Sequence, residues 1–488
     1  MRFLLDTNIV IPAEPTSAED VEARTPSVVG LLKALSLGRH IAYLHPASLR
    51  ELRGDRNQAR AETRGVLIGK YAELPRPPGM SKRLVEELGA PPPGSNSEID
   101  LLLLSALDAD AVDYFVTEDD GIHRRARRVG LAERVLTVAD AINAVQALFS
   151  TVPERLPFVV PKFAHELDET QPIFASFRED YPQFDAWLVR CKREHRQTWV
   201  IQTGNVYQGL CIVKTEAAND YGFPGKILKL CSFKIADNFR GNRYGELLLK
   251  TLFSYLVENH YDGVYVEAFE KHGPLLTLLA DFGFEDACAS KKGERVLLKK
   301  LRAWEGDQSL GPNEYHIKYG PHALTLKGAQ LFVVPIQPKY HKLLFPELEE
   351  QLPLGTDSQP FGNSIRKAYL CHAKIRKMAA GDVILFYRSE RDQGVTAVAV
   401  VEGTLVSSDA LKLAQYVSKR TVYSYADIEE MARKPVLAIQ FRLARTLKPR
   451  WEVDVLKAAG IIKQAPQSCM QVPGKAVNWI SHQLAVPP

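Results

Sequence analysis

Acids that directly follow short apolar strands are the first residues in this sequence with the means to do chemistry. Asp6 follows FLL, and Asp119 follows YFVT with Glu118 and Asp120 beside it. Glu51 sits in HPASLRELRGD after the strand IAYL, and Asp100 sits in the first turn of a helix whose start is marked by Ser97 as N-cap. In a parallel sheet the carboxyl ends of the strands bring such groups together, although 45, 49 and 19 residues separate them along the chain. Crowded carboxylates repel one another, and a bound cation relieves the repulsion. Hard oxygen donors select Mg²⁺ or Mn²⁺ over Zn²⁺, and such ions activate water for in-line attack on a phosphodiester. The plainer alternative makes Glu51 and Asp100 solvated helix acids and Asp119 the opening of a turn.

Two further places have chemical potential. The segment ILKLCSFKIADNFRGNRYGELLLKTLFSYLVEN sets a strand, a glycine-bearing turn and a long amphipathic helix in succession. Backbone N–H groups at such a helix start suit an anion, and glycine lets the chain approach it. The turn comprises Arg240, Gly241, Asn242, Arg243, Tyr244 and Gly245; Glu267 and His272, near a later strand end, are candidate proton carriers. Farther on, Lys374, Arg376 and Lys377 precede a Gly381-Asp382 turn, and Tyr387 with Arg388 ends the strand VILFYR. Cations track phosphates, and an exposed aromatic ring stacks on an unpaired base. Against this, Phe386 and Tyr387 alternate on a strand, which assigns at least one to the core.

The elements that position these residues follow from the pattern. Residues 1–150 alternate short apolar strands with helical segments, a βα rhythm that predicts a mostly parallel sheet. Residues 75–94, with Pro and Gly at both ends, read as a long loop or lid holding a short helix. Prolines in TVPERLPFVVPK, residues 151–162, mark a break. Residues 166–303 carry strands at 198–203, 208–214, 227–236, 263–269 and 294–301, with a helix from Gly245 to about Asn259. Residues 304–328, with Gly306, Gly311, Pro312, Gly320 and Pro321, read as a connector, and residues 329–488 as a small β-barrel with attached helices.

Composition agrees with three such domains: 488 residues, 45% hydrophobic and 25% charged, describe an ordinary globular chain. No apolar run reaches the roughly 18 residues that span a bilayer, and the N-terminus has no signal-like apolar core, so a cytoplasmic protein is expected. Cys191, Cys211, Cys231, Cys288, Cys371 and Cys469 form no CxxC pair and read as reduced thiols. The charge is unevenly spread. Residues 1–150 carry 18 Lys+Arg against 21 Asp+Glu, residues 151–328 carry 23 of each, and residues 329–488 carry 21 against 14. That C-terminal excess of +7 favours a polyanion there.

Three resemblances build on these residues. Residues 1 to about 145, with LLDTNI, SLREL, SEIDLLLLSAL and VTEDDGIHRRARRVG, resemble the PIN-domain nucleases. The resemblance implies a PIN-type α/β/α fold, Asp6, Glu51, Asp100 and Asp119 as catalytic and metal-binding quartet, Asp120 as adjunct, Thr7, Asn8 and Thr117 as polar supports, and ribonuclease activity. Arg124, Arg125, Arg127 and Arg128 would then lie along an RNA backbone or a solvated helix face. Residues 170–302 resemble the GNAT acetyltransferases, which implies that the 240–245 turn holds the pyrophosphate of acetyl-CoA. Arg243 stands where the family pattern has its first glycine, and Leu279 where many members carry a tyrosine acting as general acid. Residues 329–488 resemble the PUA-like superfamily, with its ASCH and EVE domains, through LFVVPIQPKYHKLLF, AYLCHAKIRKMAAGDVILFYRS and VTAVAVVEGTL; this implies a β-barrel that binds RNA.

Together these readings predict an α/β multidomain protein with RNA as the uniting substrate. It would combine a Mg²⁺- or Mn²⁺-dependent ribonuclease, an acetyl-CoA-dependent acyltransferase and an RNA-binding module. The alternative is a regulatory protein that binds acetyl-CoA or RNA without turnover.

Overall fold

The computed structural model describes all residues except 18–19, 23, 54–57, 150–157, 217–218, 237–238, 240–242, 308, 349–363, 391 and 486–488. The chain forms two compact units, one of Met1–Thr151, Asp237–Asn242 and Asp409–Glu430, the other of Val152–Ala236, Arg243–Ser408 and Met431–Pro488. Among the described residues there are three sheets, one in the first unit and two in the second.

The first sheet contains β1 (Arg2–Leu5), β2 (Ile41–Leu44), β3 (Ala72–Glu73), β4 (Tyr114–Val116) and β5 (Val135–Leu136), in the order β3-β2-β1-β4-β5. Every adjacent pair is parallel, as the βα rhythm predicts. Strand side chains alternate between faces. Phe3 and Leu5 pack with Val28, Leu31 and Ala141 on one side, and Leu4 packs with Leu103, Leu104 and Leu107 on the other. Helices therefore cover both faces. The chain winds from β1 to β2 and β3 on one side, then returns to lay β4 on the other, so the winding reverses between β1 and β4. A crevice at such a reversal is where open parallel sheets bind ligands.

The helix predicted around Asp100 spans Asn96–Asp108, but Ser95, not Ser97, caps it, its Oγ accepting Glu98 N at 3.3 Å. The 75–94 stretch does hold a short helix, Lys82–Leu88. Asp409–Glu430, read from sequence with the C-terminal stretch, lies in the first unit. There Lys419 Nζ donates to the carbonyls of Ala132 (2.6 Å) and Val135 (2.8 Å), and Arg420 pairs with Glu133 at 3.0 Å.

The second sheet holds β6 (Phe158–Phe163), β7 (Gln197–Thr203), β8 (Val206–Thr215), β9 (Ile227–Ile235), β10 (Gly263–Ala268), β11 (Glu285–Ala289) and β12 (Arg295–Lys300), in the order β11-β12-β10-β9-β8-β7-β6. The proline-marked break contains β6; Pro161 is accommodated because β6 is an edge strand. Only β9 and β10 pair in parallel, from Gly263 opposite Ile227 to Val266 opposite Leu230. β9 continues to Ile235 alongside β8, so the sheet opens between β9 and β10 toward their carboxyl ends. The predicted connector contains the helix Pro312–Tyr319. Its last carbonyls, those of Ile317 and Lys318, are held at 2.8 Å each by the buried Lys299 ammonium, a partner no local pattern reveals.

The third sheet comprises β13 (Leu331–Ile336), β14 (Arg366–Cys371), β15 (Val383–Arg388), β16 (Gly394–Ser407), β17 (Val436–Glu452) and β18 (Met470–Gln471), ordered β14-β17-β16-β15-β13-β18. The predicted closed barrel is not formed: among the described residues no pairing joins β14 to β18. The long β16 and β17 are interrupted by three register shifts, which bend strands and raise their twist, so the sheet curls without a closing ladder. Among the described residues no helix is long and apolar enough to cross a membrane.

Candidate functional site

Asp6 and Asp119 end the two strands that flank the winding reversal. Asp6 follows β1 and caps the helix Thr7–Ala13, its Oδ1 accepting Thr7 N at 2.7 Å. Its Oδ2 accepts Asn8 Nδ2 at 2.8 Å and, from the end of β4, the Thr117 hydroxyl at 2.6 Å. Only 6% of Asp6 is exposed, so four donors' worth of local structure fixes a nearly buried carboxylate. Burial, and then the charge of Asp119, push its pKa up against those hydrogen bonds.

Asp119 caps the helix Asp120–Arg128, with Oδ1 accepting Gly121 N at 2.6 Å and Ile122 N at 3.0 Å. A Cβ at position 121 would lie 2.8 Å from that oxygen, so glycine is what admits the cap. Asp120 opens the same helix, where its carboxylate complements the helix dipole.

Glu51 and Asp100 come from helices flanking the same crevice. Glu51, on Pro46–Arg53, has its pKa raised by burial and then by Asp6, with a hydrogen bond from Thr7 opposing. Asp100 is pushed up to about 6, first by burial and then by Asp119 and Asp6, although Arg125 Nη1 lies 2.8 Å from its Oδ2. The predicted quartet is thus electrostatically connected. Among the described residues, however, no three His, Cys, Asp or Glu side chains are drawn together closely enough to hold a metal ion. In donor type the four carboxylates suit a hard divalent cation, and the charges of Asp6 and Asp119 act on their neighbours in the set.

The arginine run divides by role. Arg125 turns inward to Asp100 and to Ser97 Oγ (3.4 Å), and Arg128 Nη2 donates to the Glu87 carbonyl at 2.9 Å, while Arg124 and Arg127 are exposed. His123, which sequence reasoning passed over, supports the site by bonding the Thr117 carbonyl at 2.9 Å through Nε2. Its spacing, four residues after the capping Asp119, was the available signal.

At the second site, Arg240, Gly241 and Asn242 lie outside the described residues. Arg243 precedes the helix Tyr244–Glu258 with φ of 57°, a left-handed conformation suited to the glycine it replaces. Its guanidinium pairs with Glu246 at 3.0 Å, and Glu246 is only 3% exposed. Gly245 has a packing reason: a Cβ there would come 2.6 Å from Leu278 Cδ2 on the helix Gly273–Asp281. Leu279 is fully buried. Glu267 is engaged by Lys229 Nζ (2.9 Å) and the Tyr221 hydroxyl (2.7 Å), and His272 sits at the N-cap of Gly273–Asp281.

At the third site, Lys374, Arg376 and Lys377 are exposed. Tyr387 is not available to stack on a base: both it and Phe386 are fully buried, and the Tyr387 hydroxyl donates to Gln393 Oε1 at 3.2 Å. β15 is an interior strand apolar on both faces, and its register against β16 shifts between these two residues, so the alternation rule fails there.

No family model matches this sequence. A search of curated proteins also finds no match. Solved structures similar to parts of the chain include ASCH from Zymomonas mobilis, 14% identical over 31% of this chain and 94% of that one, with a TM-score of 0.25. A putative GNAT-family acetyltransferase from Desulfovibrio desulfuricans is 13% identical over 29% of this chain and 96% of that one, with a TM-score of 0.24. A GNAT-family acetyltransferase from Elizabethkingia anophelis with acetyl-CoA bound is 13% identical over 30% of this chain and 100% of that one, with a TM-score of 0.23.

Proposed function

We propose that this chain acts on RNA through a Mg²⁺- or Mn²⁺-dependent, PIN-type ribonuclease site in residues 1–150, joined to a GNAT-type acetyl-CoA module in residues 166–303 and a PUA-like RNA-binding module in residues 329–488. The observation that supports this reading is the charge coupling of Asp6 to Glu51 and of Asp6 and Asp119 to Asp100, with Asp6 and Asp119 at the ends of the two strands where the first sheet's winding reverses. These four, with Asp120 beside them, would hold a divalent ion, whose chemistry there would be to activate a water and stabilise the leaving oxygen of a phosphodiester. The chain's own residues do the rest. Thr7, Asn8 and Thr117 fix the orientation of Asp6, and Arg125 pairs with Asp100 at 2.8 Å. Asp100, with its pKa pushed up to about 6, takes up a proton close to neutrality, so a cation and a proton compete for this carboxylate.

The acetyl-CoA module draws support from the opening between β9 and β10 and from the helix Tyr244–Glu258 that follows β9. Two observations favour binding without acetyl transfer at this module: Arg243 is engaged by Glu246, and Leu279 has no hydroxyl to act as general acid.

Incubation of the full chain with total cellular RNA and Mn²⁺ tests the nuclease. Asp6→Asn preserves shape while removing a ligand charge, so cleavage should fall by about 100-fold or more with the fold intact. Undiminished cleavage by that variant, or by wild type in EDTA, sinks the assignment. Adding acetyl-CoA in a parallel arm separates the two readings of the second module: a raised thermal midpoint without acetylated product supports the binder, and product supports the transferase.

A further inference from the structure

Two of the six cysteines, distant in sequence, meet in the third sheet. Cys371 ends β14, one edge of the sheet, and Cys469 immediately precedes β18, the opposite edge. Their Sγ atoms are 3.7 Å apart although 98 residues separate them along the chain. We propose that Cys371 and Cys469 form a reversible disulfide that clasps the two edges of this curled sheet, a covalent closure where no hydrogen-bonded ladder closes it.

The geometry supports this from several directions. A disulfide needs its sulfurs at about 2.05 Å, so the pair must approach by less than 2 Å, within reach of side-chain rotation. Both residues are half-buried, which leaves access for a small oxidant. The two sulfurs are hydrogen-bonded to each other. Either sulfur can donate its S–H to the other, so each thiol can stabilise its neighbour's thiolate. Whichever of the two ionises is the attacking thiolate.

With a small-molecule disulfide such as oxidised glutathione as oxidant, one of the two cysteines attacks one of its sulfurs as thiolate and expels one thiolate, leaving a mixed disulfide. The other cysteine gives its proton to the departing thiolate and attacks the first cysteine's Sγ, expelling the second. Two protein thiols are oxidised, and one small disulfide is reduced to two thiols. The bond also anchors the start of the segment carrying Lys374, Arg376 and Lys377, which follows Cys371 directly. The inference stands whether or not that segment binds RNA.

The full chain is equilibrated across ratios of oxidised to reduced glutathione, alkylated and mapped as non-reduced peptides by mass spectrometry. The expected result is loss of two alkylatable thiols, a linked peptide containing Cys371 and Cys469, and reversal by dithiothreitol. Closing so long a loop should raise the thermal midpoint by about 5 °C. Cys288→Ser should keep both effects, and either Cys469→Ser or Cys371→Ser should lose them while matching reduced wild type in circular dichroism. If one serine variant does not fold, the other and the wild-type peptide map still decide. Six alkylated thiols at strongly oxidising ratios, or a linkage between other cysteines, overturns the proposal. The readout is independent of RNA cleavage and RNA binding.

Discussion

Carboxylates in the first sheet's crevice and carboxylates in the second unit meet opposite surroundings. Burial and the charges of Asp6 and Asp119 raise the pKa values of Asp6, Glu51 and Asp100, and among the described residues it is Asp100 that has an arginine alongside in a salt bridge. Glu267 and Glu246, by contrast, each face a cation, Lys229 at 2.9 Å and Arg243 at 3.0 Å. Glu267 satisfies the same criterion that singles out Asp6, an acid at the end of an apolar strand, yet it is neutralised in place. The difference teaches that position at a strand end finds candidates, while the sign of the neighbouring charge sorts structural acids from acids held in readiness for a ligand. Removing a charge should accordingly have opposite effects on stability in the two regions.

The largest effect is expected at Glu246. Its carboxylate takes Arg243 on one oxygen and the backbone N–H of Arg366, at 3.3 Å, on the other. Glu246→Gln removes the charge that Arg243 meets at 3.0 Å on a nearly buried carboxylate, which should cost about 3 kcal/mol. Arg243→Gly gives a second view. It relieves a left-handed residue, worth about 1 kcal/mol, but strands Glu246, so it too should destabilise. Thermal or denaturant unfolding of both variants checks the sign. A neutral Glu246→Gln would mean that the pairing is ornamental and the comparison fails.

Asp100 should respond the other way. Its folded pKa, about 6, lies above the ordinary 3.8, so the folded state binds the proton more tightly than the unfolded state. This favourable proton uptake is fully felt below pH 3.8. It fades as pH rises toward 6, and above that the ionised group destabilises the fold by up to about 3 kcal/mol. Asp100→Asn should therefore stabilise by about 2 kcal/mol at pH 8, allowing for the lost attraction to Arg125, and have little effect near pH 3.5. Mn²⁺ should raise the wild-type midpoint at pH 8 and the variant's far less. Destabilisation by Asp100→Asn at pH 8 would show that the Arg125 pair, and not crowding, governs the residue.

The strand-end acids were legible because an apolar run followed by an acid is a local pattern, and the parallel sheet follows from the βα alternation. What was not legible depends on contacts between distant segments. Arg125 reads as an RNA contact or part of a solvated helix face until the fold brings it to Asp100. Gly245 reads as room for a phosphate, whereas Leu278 fills the space its missing Cβ leaves. Alternation on the strand assigns at least one of Phe386 and Tyr387 to the core and leaves the other free to stack on a base, but an interior strand covered on both faces, with a register shift between them, buries both. The meeting of Cys371 with Cys469 likewise requires the sheet to curl.

The smallest effect on stability belongs to a third class of charge, cations that face water. Lys374, Arg376 and Lys377 are exposed, and Arg376 bonds only locally, to the carbonyls of Ala373 (2.6 Å) and Ile375 (3.1 Å). Replacing all three by glutamine should shift stability by no more than about 0.5 kcal/mol, because exposed charges contribute little to folding. Their contribution should appear in binding. Each cation that neutralises a single-strand phosphate releases condensed counterions, so the three together should flatten the salt dependence of affinity by roughly 2 logarithmic units per tenfold salt. Filter binding of the full chain to single-stranded RNA, in EDTA to prevent cleavage and at several salt concentrations, measures that slope. Weakening should be similar across RNA sequences, since phosphate contacts carry no sequence information. An unchanged slope would move the RNA-binding face away from this segment. A lost fold would place these cations with Glu246 among charges that hold the structure together.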